Sequence, residues 1–171
     1  MDLFLLYRDS NGQKQRIAPD MMLDLADQPL TNDSWDLDNR PPPKLVGELT
    51  SPSSRKADFD ANRKLYQTLG IENYILVDGL NEKGKESGKI EVHYWQKGKK
   101  VSPNKEGYID VPELQIKVKA KAKELQFIDG NTLQPLLRQD ENRQALEEKD
   151  HALEEKDRLI AQLRKKLGDE I

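Results

Sequence analysis

The chain has 171 residues, 35% of them hydrophobic and 35% charged, which predicts one core of modest size and an extended polar segment. Because the chain contains no cysteine, a disulfide framework and a thiolate metal site are excluded, and the cytoplasm is the predicted compartment. The net charge of -3 argues against a strongly basic nucleic-acid binder, and the lack of any apolar run near the ~20 residues that cross a bilayer predicts no membrane partner.

The first elements are predicted to be two strands followed by a loop. Residues 3–7 form the first predicted strand, residues 10–12 a hairpin turn, and residues 17–25 a second strand that contains Pro19 and Asp20. Residues 27–43 are polar and rich in proline, which predicts an irregular connection.

A single carboxylate stands inside the next predicted strand, residues 44–50. Three prolines precede this short, β-prone run, and alternation places Val46, Glu48 and Thr50 on one face. Because burying an unpaired carboxylate costs several kcal/mol, we expect Glu48 to have a partner or a metal ion. The alternative is a salt bridge, for which the candidate partners are Lys44, Arg63 and Lys64.

A helix and a buried strand follow. Residues 58–69 have helical spacing, with Phe59, Leu65 and Tyr66 on one side and Gly70 as the stop signal. Residues 74–78 form an apolar strand. The resulting strand–helix–strand unit favours a mixed α/β sheet.

The region from residue 83 to residue 123 is rich in lysine. Residues 90–96 and 114–122 alternate as strands, and in the second of these the intervening lysines face water. If the sheet brings this region beside Asp20 and Glu48, a phosphate backbone could lie across it. The alternative is a solvated hairpin face, because several of the lysines stand next to turn glycines.

From residue 136 onward the chain is predicted to form a charged helical tail, separate from a domain at residues 1–135. The hexamer ALEEKD occurs at residues 145–150 and again at 152–157, a period of seven that is typical of a coiled coil. The apolar stripe consists of Leu146, Leu153, Ile160 and Leu167, supported by Leu163. Polar residues at the second heptad position leave two readings open, a homodimer zipper and a solvated helix that packs its last turns on a partner.

Three strings carry a family resemblance: ELTSPSS at residues 48–54, LYQTLGI at 65–71 and ENYILVD at 72–78. Together with Pro19-Asp20 upstream and residues 125–129 downstream, they resemble a restriction endonuclease family that is abundant in cyanobacteria, within the PD-(D/E)XK nuclease superfamily. The resemblance implies an α/β (α+β), restriction-endonuclease-like mixed sheet with a core helix, followed here by the charged helix or coiled coil.

The resemblance also implies a chemistry, the hydrolysis of DNA phosphodiester bonds with Mg²⁺ or Mn²⁺ as the cofactor. Asp20 and Glu48 would be the metal ligands, with the backbone carbonyl of Leu49 completing the set. Lys64 would be the third catalytic residue, as the lysine that stabilises developing charge.

The chain departs from the family pattern at the lysine positions. Thr50 stands two residues after Glu48, where the superfamily has a lysine, and Asn62 stands four residues before Tyr66, where the family commonly has one. The family also has an additional N-terminal helix and hairpin, so we expect a shortened N-terminus. Two functions therefore stay open: an active endonuclease that binds DNA, and a catalytically degenerate relative that acts as a binding or self-association module through its C-terminal helix.

Overall fold

The computed structural model describes residues 3–25, 34–81 and 83–136, and residues 149, 151, 153, 155, 156 and 158–160 of the tail. The chain divides into two compact units, Met1–Pro135 and Leu136–Ile171. The first unit contains the sheets and the core helix.

The strands of the described chain are β1 (Phe4–Arg8), β2 (Lys14–Ile17), β3 (Met21–Leu23), β4 (Ser34–Asp36), β5 (Leu45–Leu49), β6 (Asn73–Leu80), β7 (Glu86–Gln96), β8 (Lys99–Val101), β9 (Ile109–Val111), β10 (Ile116–Lys121) and β11 (Glu124–Asp129). The core helix consists of α1 (Arg55–Ala57), a π-helical turn (Asp58–Asn62) and α2 (Arg63–Thr68). A short 3₁₀ helix spans Pro112–Leu114.

A five-stranded sheet in the order β3-β5-β6-β7-β8 forms the centre of the unit. β5 and β6 are parallel, as the core helix between them requires, and the other neighbours in this sheet are antiparallel. Two three-stranded sheets, β2-β1-β4 and β11-β10-β9, complete the unit. The predicted mixed sheet with a core helix is confirmed.

The alternation predicted for β5 separates two hydrophobic cores. Val46 faces the core that includes the helix residue Tyr66, whereas Leu45 faces the core that includes Val118 of β10. The first core consists of Leu5, Trp35, Val46, Tyr66, Ile71, Tyr74, Leu76 and Trp95. The second consists of Leu45, Ile75, Val77, Tyr94, Ile109, Val111, Leu114 and Val118. Glu48 shares its strand face with Val46 and therefore points toward the helix side.

The prediction of a single strand at residues 17–25 is wrong, because two strands of different sheets occupy this region. β2 pairs with β1, whereas β3 pairs with β5. Between them lies Pro19, which has no N–H to donate to a ladder and whose ring fixes φ. Asp20 consequently stands at the start of β3 rather than inside a longer strand.

The loop predicted at residues 27–43 contains a strand. β4 pairs in parallel with β1, with Trp35 opposite Leu5. The side chain of Trp35 is 6% exposed and its indole N–H donates to the carbonyl of Pro41 at 2.8 Å. Burial of this large aromatic residue decides the strand, which polar neighbours conceal in the sequence. Residues 26–33 lie outside the described residues.

The core helix begins earlier than predicted and is not uniform. It starts at Arg55 rather than at residue 58, and residues 58–62 form a π-helical turn. Its predicted end is confirmed, since Gly70 follows α2 with φ 81°, a conformation that favours glycine. π-Helical turns are rare and often occur at functional sites.

The strand predicted at residues 114–122 begins two residues later. Leu114 closes the 3₁₀ helix, and Gln115 then adopts a left-handed φ of 54° before β10 starts. Val118, which lies between two of the lysines of this strand, is fully buried.

In the tail beyond residue 136, all described residues are helical and exposed. Of the predicted coiled-coil stripe, Leu153 and Ile160 are among them, whereas Leu146, Leu163 and Leu167 lie outside the described residues. Pairing of this helix with a second copy stays a prediction. No helix in the described part of the chain is long and apolar enough to cross a membrane.

Candidate active site

Two acids predicted from the sequence lie side by side where β3 pairs with β5. Met21 lies opposite Gly47 in this antiparallel pair. One position further along, Asp20 therefore stands next to Glu48, although 28 residues separate them in sequence, and the Asp20 N–H donates to Glu48 Oε2 at 3.3 Å. Strand pairing brings the two acids together.

The Asp20 carboxylate is exposed, and a backbone group orients it. The Leu49 N–H donates to Asp20 Oδ2 at 2.8 Å. No described residue donates a hydrogen bond to the second oxygen of this carboxylate, Oδ1. Leu49, whose carbonyl is the predicted third ligand, therefore also holds the Asp20 carboxylate in place through its N–H.

The Glu48 carboxyl is buried, with 6% of the residue exposed. The Tyr66 hydroxyl donates to its Oε1 at 2.5 Å. None of the ion pairs between described residues joins Glu48 to a lysine or an arginine, so the predicted salt-bridge alternative is not formed. Burial raises the pKa of Glu48 to about 7, although the hydrogen bonds from Tyr66 and the Asp20 N–H lower it, and the charges of Asp20 and Asp58 add to the increase.

Tyr66→Phe is expected to destabilise the fold by about 1–3 kcal/mol at neutral pH, because it removes the donor that Glu48 receives from the helix. Burial and the charge of Glu48 raise the pKa of Tyr66, so its hydroxyl stays protonated and donates. Urea denaturation above and below the pKa of Glu48 measures the effect. The loss should be smaller at low pH, where Glu48 is protonated, and an equal loss at both pH values would contradict the charge-assisted bond.

A second buried carboxylate, Asp58, lies in the π-helical turn and was not predicted as a site residue. It is 2% exposed. The Ser54 hydroxyl donates to Asp58 Oδ2 at 2.7 Å, and the Asn62 side-chain amide donates to Oδ1 at 2.9 Å. These are neutral donors, so the negative charge of Asp58 acts on Glu48 and contributes to its raised pKa.

A spacing in the sequence could have revealed this network. Ser54, Asp58, Asn62 and Tyr66 follow one another at intervals of four residues, which places their side chains on one side of a helix. That side faces the strand that carries Glu48. A polar stripe on the buried face of a core helix is an unusual pattern and marks the site.

The two positions at which the family pattern has a lysine hold neutral side chains that are already bonded. The Thr50 hydroxyl donates to Asp78 Oδ1 at 2.8 Å, and Asn62 donates to Asp58. Lys64 is exposed and forms no ion pair with an acid of the described chain. Its predicted catalytic role stays a prediction.

Asp78, at the same end of the sheet, is paired with a cation. Arg55 Nη2 lies 2.7 Å from Asp78 Oδ2, and Arg55 Nε donates to the same oxygen at 2.9 Å. Burial alone would raise the pKa of Asp78, but the hydrogen bonds from the Leu80 N–H, Thr50 and Arg55 together lower it. Arg55 thereby joins the start of the core helix to the end of β6.

The donors of the acid pair suit a hard divalent cation. Asp20, Glu48 and the Leu49 carbonyl offer only oxygen atoms, which Mg²⁺ and Mn²⁺ prefer. Glu48 is a desolvated acid with no cation beside it among the described residues, and a bound ion would supply the missing charge. Among the described residues no cluster of three or more acidic or histidine side chains is arranged for a metal. Any ion here would therefore rely on two carboxylates and backbone oxygen.

A mixed sheet with a core helix between two parallel strands is consistent with a restriction-endonuclease-like fold. The family model Uma2, described as "Putative restriction endonuclease", matches residues 5–119. This match covers more than half of the 171 residues, and the chain belongs to that family. The chain matches no curated protein and no solved structure.

Proposed function

We propose that the protein hydrolyses DNA phosphodiester bonds with a divalent metal ion, Mg²⁺ or Mn²⁺, held by Asp20, Glu48 and the Leu49 carbonyl. The observation that carries the proposal is the buried Glu48, which lies beside Asp20 and forms no ion pair with a cation of the described chain. When bound, the ion would polarise the phosphate and lower the pKa of a bound water. Membership of an endonuclease family supports the same chemistry.

The residues around the acid pair act as orienting groups in this proposal. Tyr66 fixes one oxygen of Glu48, and the Asp20 N–H fixes the other. The Leu49 N–H binds one oxygen of Asp20 and leaves the second for the ion. Such preset donors reduce the reorganisation that binding would require. Lys64 is the proposed source of positive charge for the transition state.

A catalytically silent binding protein is the second candidate, and one observation favours it. Both lysine positions of the family pattern hold neutral residues, and these are bonded to Asp78 and Asp58. In this alternative the chain binds another molecule or a second copy through its C-terminal helix. The proposed compartment for either function is the cytoplasm, which the absence of cysteine suits.

Calorimetric titration with Mg²⁺ and Mn²⁺, run beside a plasmid-nicking assay at low salt, tests the proposal. Wild type is expected to bind the ion and nick the plasmid. Glu48→Gln and Asp20→Asn are expected to lose both metal binding and nicking. Glu106→Gln is the matched control, because Glu106 is exposed and forms no ion pair within the described chain.

The outcomes separate the two candidates. Absence of metal binding in folded wild type would overturn the nuclease proposal and direct attention to the C-terminal helix. Metal binding without nicking would support the silent candidate, because the ligands would then be present while the cation for the transition state is missing. Nicking that persists in Glu48→Gln would remove Glu48 from the site.

A further inference from the structure

A groove of about 430 Å³ lies at the end of β5 that follows Glu48. One wall is the turn from Thr50 to Pro52, which follows β5, and a second wall is the hairpin that joins β6 to β7. Lys123, in the turn between β10 and β11, lies on the third side. The volume is within the usual range for ligand-binding clefts.

Two lysines from different hairpins line this groove. Lys89 lies on β7, and Lys123 lies in the β10–β11 turn, 34 residues further along the chain. A hydrogen bond of 3.1 Å from the Ile90 N–H to the Ala122 carbonyl holds the two hairpins together. The tertiary fold, and not the sequence spacing, therefore places both ammonium groups at one cleft.

Within the described part of the chain, neither of these lysines is neutralised by an acid. Both are exposed, and neither forms an ion pair with an acid of the described chain. By contrast, Lys14, Lys97 and Lys117 pair with acids. Among the described lining residues Glu86 is the acid, so these residues carry two positive charges against one negative charge.

Small residues keep the hairpin wall open. A side-chain carbon added at Gly84 or Gly88 would meet nothing within 4 Å, and the backbone at both positions has a left-handed φ, of 70° and 77°. The hairpin can therefore approach a ligand closely through its backbone, as glycine-rich contacts with phosphates do.

The groove and the acid pair are linked by neighbouring residues of one segment. Thr50, which lines it, directly follows Leu49, whose N–H holds the Asp20 carboxylate. The groove and the acid pair therefore lie at the same end of β5. Positive side chains in a groove at this end of β5 suit a ligand whose charge is negative and repeats along a chain.

We propose that this groove binds the phosphodiester backbone of the DNA strand that flanks the cleaved bond, with Lys89 and Lys123 contacting phosphates. This inference rests on the proposed nuclease function and extends it by assigning a substrate-positioning surface. The lysines fix the position of the strand and carry no sequence information, because they contact phosphates rather than bases.

Fluorescence anisotropy with a labelled DNA duplex, in EDTA so that cleavage is blocked, tests the inference. Each of Lys89→Gln and Lys123→Gln is expected to weaken binding about tenfold at low salt and to reduce the slope of log K against log salt by about 0.9. The double variant should combine the two effects. Lys105→Gln is the matched control, an exposed lysine in a turn outside the groove, and should change neither quantity.

Three results would overturn the groove assignment: unchanged affinity and slope in the double variant, an equal loss in Lys105→Gln, or no binding of DNA by wild type. A further titration with an acidic peptide addresses a protein partner, and lysine-dependent binding of the peptide without binding of DNA would also overturn it. Metal calorimetry on the same variants reports separately on the acid pair, so failure of the groove and failure of the nuclease proposal are distinguishable.

Discussion

Glu48→Gln is expected to raise the free energy of unfolding by about 3 kcal/mol at about pH 8 and to leave it nearly unchanged at about pH 4. The substitution keeps the shape of the side chain and removes its charge. Wild type carries a buried anion at the higher pH, with neutral donors around it. A stabilising substitution at a predicted catalytic position is typical of a site whose charge opposes folding.

The sign follows from the direction of the pKa shift. Burial raises the pKa of folded Glu48 to about 7 from the ordinary value of 4.5. The folded protein therefore binds this proton more tightly than the unfolded chain does, and the stability that the proton contributes is fully present below about pH 4.5. That contribution is lost as the pH rises through about 7, where wild type is penalised and the glutamine variant is not.

Urea denaturation across this pH range, with Glu106→Gln as the control, measures the effect. The control should show no pH-dependent difference from wild type, since Glu106 is exposed. A constant difference between wild type and Glu48→Gln at all pH values would contradict the account. If the acid pair binds a metal ion, added Mg²⁺ should stabilise wild type at the higher pH and have no such effect on the variant.

Arg55→Ala is expected to lower the free energy of unfolding by about 2 kcal/mol at neutral pH. It leaves Asp78 buried, at 4% exposure, without its cation. Removal of one partner of a fully buried ion pair lowers the free energy of unfolding by more than this. The loss is smaller here because the Arg55 side chain is 34% exposed and solvent screens part of the interaction. The same change also frees the start of the core helix from the end of β6.

The pH dependence of this second effect has the opposite sign to the first. Hydrogen bonds from the protein lower the pKa of folded Asp78 below the ordinary value of 3.8. The stability from its ionised form is therefore present above that ordinary value and is lost as the pH falls through the lowered one. The difference between wild type and Arg55→Ala should shrink in strong acid.

Arg8→Ala provides the matched control for Arg55→Ala. Arg8 also pairs with an aspartate, Asp38, at 2.9 Å, but both side chains are more exposed, at 56% and 30%. We expect a loss below about 1 kcal/mol, as for other surface pairs. Equal losses for the two arginines, measured by thermal or chemical denaturation, would contradict the distinction between the buried and the exposed pair.

The candidate acid Glu48 is visible in the sequence because one carboxylate stands in an apolar, β-prone run. The face on which it lies follows from the alternation of a strand, which depends only on neighbouring residues. The end of the core helix at Gly70 is visible for a similar reason, since glycine adopts the required left-handed conformation without strain. These features are local, and the structure places them as predicted.

The strand β4 and the carboxylate Asp58 show what local patterns conceal. Residues 34–36 look like part of a polar loop, and they form a strand because Trp35 is buried against β1. Asp58 looks like an ordinary residue at the start of a helix, and it is buried because the helix begins three residues earlier, at Arg55. Contacts with distant elements decide both outcomes.

The sequence by itself determined the family, the strand–helix–strand unit and the acid that a buried strand would have to accommodate. Only the tertiary structure decided that Asp20 lies beside Glu48, that Tyr66 rather than a cation binds Glu48, and that Lys89 and Lys123 meet at one groove. The physical reason is how far apart along the chain the interacting residues lie. Periodicity and turn chemistry act between neighbours in sequence, whereas strand register, burial and the charge around a buried acid depend on segments far apart in the chain.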